Sequence, residues 1–166
     1  MMLRGGPLAI AGLLLVSGCG DGAAISRAEL DDLRVQGVEP GMVYVVDLPG
    51  YELARRSMSG YNDEGFQAYY VSPRDGRVWL GVDHGFFSDG LCPEKPVHDA
   101  ERLSAPVSCD RDEVGWYRRS GERHEYAVSE EGHVLRLAGR RGEVSRAALR
   151  QAVAGARAVA GAGGGG

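Results

Sequence analysis

The 166-residue chain carries 19 basic and 23 acidic side chains, for a formal net charge of −4 at neutral pH, and both signs are interspersed along it. Such a chain lacks the basic footprint that nucleic-acid binding requires, so no nucleic-acid partner is expected. Its length is typical of a single domain.

The first nineteen residues have the pattern of an export signal. Arg4 precedes an uninterrupted apolar run over residues 8–16, which is too short for a membrane-spanning helix of about 20 residues. Small residues then lead to a cysteine in Val16-Ser17-Gly18-Cys19. The run therefore indicates the hydrophobic region of a signal peptide and not a membrane anchor.

Val16-Ser17-Gly18-Cys19 resembles the lipobox of bacterial prolipoproteins, in which an aliphatic residue and two small ones precede an obligatory Cys. The resemblance implies a diacylglyceryl group on Cys19, signal cleavage between Gly18 and Cys19, and a mature chain beginning at Cys19. Two acyl chains anchor a protein stably, so the expected location is the extracytoplasmic face of the cell membrane, with the lipid membrane as partner. The alternative is an ordinary signal peptide cut after Ala24, which yields a secreted product.

Beyond the lipobox, the layout of the chain is similar to that of small actinobacterial lipoproteins. We therefore expect a signal peptide over residues 1–18, a tether over residues 19–40, a single domain over residues 41–160 and a disordered Gly-rich tail over residues 161–166. Within the tether, Ser26 and Glu29 have capping-box spacing and Gly37 can end a helix, which predicts a short helix over 27–36 that either packs on the domain or belongs to the tether.

Runs of β-formers bounded by turn residues predict an α+β domain with an antiparallel β-meander. The predicted strands include 42–46, 66–71, 77–83, 116–119, 123–128 and 133–138. Alternation within 77–83 predicts a half-buried sheet, with Trp79 on the open side. Ser145 caps a C-terminal helix whose apolar positions, from Leu149 to Val159, recur at helical spacing. The expected architecture is a sheet of about five to seven strands with this helix on one face.

Residues 84–114 form a long irregular segment that contains Cys92 and Cys109. With Cys19 carrying lipid, an even pair in an exported protein predicts a disulfide. Closing this loop stabilises the fold by about 3 kcal/mol in the chain-entropy picture. Phe86, Phe87 and Leu91 make the segment a candidate binding surface together with His84, although a lid tucked onto the core is an equal alternative.

The remaining polar candidates give weaker signals. No Cys-x-x-Cys or His-x-x-x-His spacing accompanies Asp83, His84, Asp89 and His98, so neither a metal nor another cofactor is predicted. His124 and His133 lie roughly 15 Å apart on one hairpin at about 3.3 Å per residue, and each is expected to be a single surface histidine.

Arginines gather around one hairpin turn, and acidic residues interleave with them. The basic members are Arg118, Arg119 and Arg123, and the acidic ones are Glu122 and Glu125. Cross-strand ion pairs on a solvated face are expected, with an anionic surface polymer or lipid headgroup as the alternative partner.

These observations predict a membrane-anchored lipoprotein that acts as a non-enzymatic binding module for a protein or small ligand. The 84–114 segment and the adjoining sheet edge are the expected binding surface, because functional residues collect on loops held by a rigid scaffold. Two alternatives stay open, namely an envelope hydrolase that uses His84 with Asp83 or Asp89, and a purely structural envelope protein.

Overall fold

The computed structural model describes residues 24–159. The predicted signal peptide, the lipobox with Cys19 and the Gly-rich tail lie outside the described residues. The elements in chain order are α1 (Arg27–Val35), β1 (Tyr44–Val45), β2 (Glu52–Leu53), β3 (Ser59–Tyr61), β4 (Gly65–Val71), β5 (Arg77–His84), β6 (Ser108–Arg111), β7 (Trp116–Ser120), β8 (Arg123–Glu130), β9 (His133–Arg140), α2 (Arg146–Ala154) and β10 (Arg157–Ala158). Neither α1 nor α2 is long and apolar enough to cross a bilayer.

The main sheet is antiparallel and eight-stranded, with the order β2-β4-β5-β9-β8-β7-β6 and β3 also paired with β4. The predicted α+β class, the C-terminal helix and the Cys92–Cys109 disulfide are confirmed. The sheet is larger than predicted, and it is not one continuous meander. Strands β6 to β9 form a meander whose last strand pairs with β5, so the connection from β5 to β6 has to pass the width of three strands.

The connecting segment, residues 85–107, is called the crossing loop below. Four strand spacings of about 4.8 Å separate β5 from β6, or roughly 19 Å. A loop of this span has to run over one face of the sheet, here called the outer face. The other face, the inner one, is covered by α2 and the N-terminal segments.

The inner face carries the main apolar core. Val78, Leu80 and Val82 alternate along β5 and are fully buried, as period-2 alternation predicts. Helix α2 places Leu149 and Val153 against them within one cluster. Burying each such side chain contributes about 1.5–3 kcal/mol, so this layer is the principal source of stability.

Helix α2 is shorter than the apolar spacing predicts. The Ser145 side chain accepts a hydrogen bond from the Ala148 N–H at 3.1 Å, as expected of the cap, but the helix ends at Ala154, with Gly155 as its C-terminal cap. The next residues form β10, which pairs with β1. Backbone pairing with β1 thus takes the place of the further helical turn that the apolar spacing predicted.

Helix α1 begins and ends close to the predicted bounds, and both hydrogen bonds of the capping box are present. However, Leu33 is 2% exposed, and Ile25 and Val38 are buried in the same core. The segment assigned to the tether therefore belongs to the packed domain at least from Ile25 onward.

The outer face differs most from the prediction of a half-buried sheet. Trp79 is 1% exposed, because the crossing loop covers it. A second apolar cluster lies on the outer side of the sheet, and its members are Phe87, Cys92, Trp116, Ala127 and Val134. Both faces of the sheet centre are therefore shielded from water.

Candidate functional site

The crossing loop is attached to edge strand β6 by the disulfide. Cys92 is fully buried in the second apolar cluster, and its Cα lies 6.1 Å from that of Cys109 at the start of β6. The bridge shortens the freely moving part of the loop in the unfolded chain, so less conformational entropy is lost when the loop becomes ordered.

Beneath the loop lies a buried ion network formed by Arg118, Glu125 and Arg136. Arg118 and Glu125 are directly opposite on β7 and β8, form an ion pair and are both 0% exposed. Arg136 on β9 donates from Nε and Nη2 to the two Glu125 carboxylate oxygens, each at 3.0 Å. Burial alone would raise the pKa of Glu125, but the Arg136 and Arg118 guanidinium groups hold it below its usual value.

The network also holds the loop backbone. Arg118 donates to the Cys92 carbonyl at 3.0 and 3.2 Å and to the Lys95 carbonyl. Arg136 donates to the Pro96 carbonyl at 2.8 Å. These hydrogen bonds all use main-chain oxygens of the loop, so the two guanidinium groups hold its backbone directly.

His98 completes the attachment. Its backbone N–H donates to Glu125 Oε2 at 3.0 Å, and its ring stacks on Trp79 with centroids 3.7 Å apart and an interplanar angle of 4°. Burial lowers the pKa of His98 to about 4, so the imidazole is neutral near neutral pH. The stack therefore brings two uncharged rings together.

Sequence analysis predicts the ion pairing in this hairpin correctly but not its burial. Glu125 pairs with Arg118 out of solvent, whereas Glu122 pairs with Arg141 at 3.1 Å, where both side chains are exposed. Burial could not be predicted because the loop that covers Arg118 and Glu125 comes from a distant part of the chain.

Next to the crossing loop, three arginines stand side by side on the outer face. Arg123 on β8 lies opposite Arg140 on β9, and the pairing of Trp79 with Ala138 brings Arg77 on β5 opposite Arg140 from the other side. We call these three residues the arginine row. Like charges directly opposite each other in a sheet are destabilising.

The arginine row lines a cleft of about 240 Å³ that also contains Tyr69, Asp75, Trp79, Asp99, Ala138 and Glu143. Arg123 forms an ion pair with Asp99 of the crossing loop, and the Arg77 guanidinium lies 4.8 Å from the centroid of the Tyr69 ring. Among residues 24–159, neither Arg77 nor Arg140 forms an ion pair with a carboxylate. The cleft thus combines three arginines with three carboxylates, and two of its guanidinium groups are not neutralised by direct pairing within the described chain.

The predicted apolar binding residues separate into exposed and buried positions. Phe86 is 68% exposed, whereas Phe87 is 4% exposed and packs on Trp116 with ring centroids 5.2 Å apart. Leu91 is partly buried. The exposed-patch alternative therefore describes Phe86, and the lid alternative describes Phe87.

His84 lies at the far end of β5 and faces other acids than those predicted. Its Nε2 is 2.9 Å from Glu39 and 3.5 Å from Glu64. Asp83 accepts from the backbone N–H of His84 at 2.9 Å, and Asp89 accepts from the Trp116 indole N–H at 2.7 Å. Neither aspartate contacts the imidazole of His84.

The other histidines are also distributed differently from the prediction. His124 is 2% exposed, its Nδ1 is 2.9 Å from the Tyr117 hydroxyl, and burial lowers its pKa to about 4. His133 is opposite His84 on β9, with ring centroids 5.8 Å apart. The sequence separates His84 and His133 widely, and only the β5–β9 pairing brings them together.

Sequence analysis missed the arginine row. The turn at Glu131-Gly132 determines the β8–β9 register, so the opposition of Arg123 and Arg140 was accessible from the hairpin alone. The position of Arg77 was not accessible in this way, since it joins the row through a non-local strand pairing.

No protein-family model matches the chain, and no curated protein or solved structure is significantly similar to it.

Proposed function

We propose that this protein is a lipid-anchored, extracytoplasmic binding module without enzymatic activity, and that its ligand places an anionic group in the cleft of the arginine row. The carrying observation is the row itself, in which Arg77, Arg140 and Arg123 lie on three adjacent strands and line one cleft. A bound anion relieves the repulsion between these opposed charges.

The chemistry of the cleft favours a carboxylate or a phosphate. A guanidinium offers a planar fork of donors that matches both groups, and side-by-side arginines can hold one such group from two sides. Tyr69 supplies a flat wall next to Arg77, which suits a ring or apolar portion beside the charge.

The dimensions of the cleft limit the ligand. Its volume of about 240 Å³ is below the roughly 300–1,000 Å³ typical of sites that enclose a drug-sized molecule. The ligand is therefore a small anion or the anionic end group of a larger envelope molecule.

The site is preorganised by the structure around it. Asp99, which pairs with Arg123, follows His98, whose stack on Trp79 and bond to Glu125 hold this part of the crossing loop. A rigid site loses little conformational entropy when it binds. This supports a binding role for the crossing loop and the adjoining sheet.

Titration calorimetry of the full chain in detergent micelles tests the binding proposal. The probes are inorganic phosphate and a small dicarboxylate, at low ionic strength because salt screens such contacts. We expect millimolar or tighter binding that Arg140→Gln and Arg77→Gln each abolish. Arg119→Gln is the matched control, since this exposed arginine on β7 lies outside the cleft, where its guanidinium group donates to the Ser108 hydroxyl and lies over the Tyr117 ring.

Saturable binding that is lost in both cleft variants and retained in Arg119→Gln supports the proposal. Absence of binding to either probe, or equal loss in all three variants, contradicts it and favours a purely structural role. The envelope-hydrolase alternative requires a contact between the His84 ring and Asp83 or Asp89, and the described structure contains none.

The anchor is tested separately by the intact mass of the protein from membranes of its native host, alkylated without reduction. We expect a chain beginning at Cys19 with diacylglyceryl mass and no alkylated thiol, and a Cys19→Ala form without lipid. An unlipidated chain that begins near Ile25 in the medium contradicts the anchor while leaving the binding proposal to its own test.

A further inference from the structure

Three ligand-type side chains converge at the end of β5 remote from the arginine row. The His84 Nε2 lies 2.9 Å from Glu39 Oε2 and 3.5 Å from Glu64 Oε2. One ligand atom from each residue lies within 4.8 Å of the others. All three side chains are accessible to solvent, with relative exposures between 45% and 63%.

The backbone brings these residues together. The Glu39 N–H donates to the Glu64 carbonyl at 3.0 Å, which places both carboxylates side by side. Asn62 in the β3–β4 turn donates to Asp83 and thereby holds that turn against the end of β5. Gly65 is required there, because a Cβ would lie 2.5 Å from the carbonyl oxygens of Tyr61 and Val82.

The spacing of the three atoms fits a metal ion. With bonds of about 2.0–2.2 Å, the ligands of a tetrahedral zinc ion are about 3.3–3.6 Å apart. The observed separations of 2.9 and 3.5 Å, and the limit of 4.8 Å for the whole set, lie around this value. An ion between them also offsets the repulsion between two adjacent carboxylates.

We propose that Glu39, Glu64 and His84 bind a divalent transition-metal ion of the Zn²⁺ class. One imidazole and two carboxylates suit such an ion better than Mg²⁺ or Ca²⁺, which take oxygen ligands alone. Three protein ligands leave a coordination position open to solvent. This inference is independent of the proposed function, because Arg77 and His84 are at opposite ends of β5, roughly 23 Å apart at about 3.3 Å per residue.

The histidine content of the chain permits a clear control. The sequence has four histidines, and two of them, His98 and His124, are covered by stacking or burial. His133 is the remaining neighbour, opposite His84 but absent from the three-residue cluster. His133→Gln therefore removes a nearby imidazole while leaving the proposed ligands in place.

The experiment is titration calorimetry of Zn²⁺ into the full chain in detergent micelles at pH 7.5, purified without a histidine tag. We expect one ion per chain. Binding should be at least about tenfold weaker in His84→Gln and in the double variant Glu39→Gln/Glu64→Gln, since mutating even the residues that orient metal ligands lowers metal affinity about 10–100-fold. His133→Gln and Arg140→Gln should bind as the unaltered chain does.

A second readout guards against misfolded variants. Zn²⁺ should raise the unfolding temperature of the unaltered chain and of His133→Gln, but not that of His84→Gln, because only a folded chain with an intact site gains from the ligand. Far-UV circular dichroism without metal establishes that each variant is folded. Absence of stoichiometric Zn²⁺ binding, or an equal loss in His133→Gln and His84→Gln, overturns the proposal.

Discussion

The two faces of the sheet are both buried, but they are buried by different chemistry. The inner face packs Val78, Leu80 and Val82 against α2 in the main apolar core, and its buried His124 bonds a tyrosine hydroxyl and, among the described residues, no charged side chain. On the outer face, Arg118 and Glu125 are 0% exposed beneath a loop that they hold through its carbonyl groups. The same sheet thus carries an apolar core on its inner face and a buried ion network on its outer face.

The difference has an energetic consequence. An apolar layer tolerates the loss of one side chain by partial collapse, so the cost varies with the cavity that remains. An ionic layer does not, since removing one partner leaves a buried charge without compensation. The outer face is therefore expected to respond more steeply to single substitutions, and the crossing loop should respond with it.

The largest effect is expected for Glu125→Gln. The substitution keeps the shape of the side chain but leaves the Arg118 and Arg136 guanidinium groups without their shared carboxylate, at a cost of about 3–5 kcal/mol in the free energy of unfolding. Urea denaturation measures the loss. Glu122→Gln is the matched control, because its exposed pair with Arg141 contributes about 0–1 kcal/mol. Similar losses in both variants would falsify the distinction between the two pairs.

For the inner face, the corresponding change is Leu149→Ala. Leu149 is fully buried, and its truncation should lower the free energy of unfolding by about 2–5 kcal/mol. The crossing loop should keep its place, because the substitution leaves the buried ion network intact. Hydrogen exchange of the His98 amide distinguishes the faces, with protection retained in Leu149→Ala under native conditions and lost in Glu125→Gln. Equal loss in both variants contradicts separate layers.

A pH-dependent effect of intermediate size involves one histidine from each face. Burial lowers the pKa of His98, on the outer face, and of His124, on the inner face, from 6.5 to about 4. Between these pH values the unfolded chain binds more protons than the folded one. The contribution of the two neutral histidines to the free energy of unfolding is therefore fully present above about pH 6.5 and is lost as the pH falls to about 4.

Urea denaturation between pH 7.5 and pH 4 measures this dependence. His98→Gln and His124→Gln should each reduce the slope in that window, and the double variant should reduce it further. An unchanged slope in the double variant would show that carboxylates account for the acid sensitivity.

The smallest effect concerns the arginine row. Arg140→Gln removes the middle of three opposed charges, and in the absence of ligand it should raise the free energy of unfolding by about 0.2–1 kcal/mol. Thermal unfolding at low salt measures the gain, which should shrink at high salt because screening weakens the repulsion. A loss of stability in Arg140→Gln would indicate that the row is already neutralised within the fold.

Much of the local structure follows from nearby residues. The Ser26–Glu29 capping box, the Ser145 cap and the hairpin turn at Glu131-Gly132 each define an element within a few residues. Their physical basis is short-range, since caps and turns satisfy backbone groups close in sequence. The disulfide was also predicted, because the expectation of export and of a lipid on Cys19 left Cys92 and Cys109 as an even pair.

The candidate sites depended on long-range structure to different degrees. The sequence identified Phe86, Phe87 and His84 as candidates and left an exposed patch and a buried lid as equal alternatives. It did not show that Phe87 is the buried one, or that Glu39 and Glu64 approach His84. Burial is a property of whatever covers a residue. Arg118 is covered by the crossing loop, and Phe87, within that loop, is covered by packing on Trp116. The path of the loop follows from the position of β6 at the far edge of the sheet.

The sequence by itself therefore determined both helix starts, most of the longer strands, the hairpin turns, the disulfide and the expectation of a lipid anchor. It missed β6, which lies within the segment predicted to be irregular, and β10, which lies where α2 was predicted to continue. Only the tertiary structure decided that β5 pairs with β9, and this pairing aligns Arg77 with Arg140 and His84 with His133. The physical reason is that strand pairing between distant segments is selected by the burial of the whole sheet, and not by the chemistry of either strand alone.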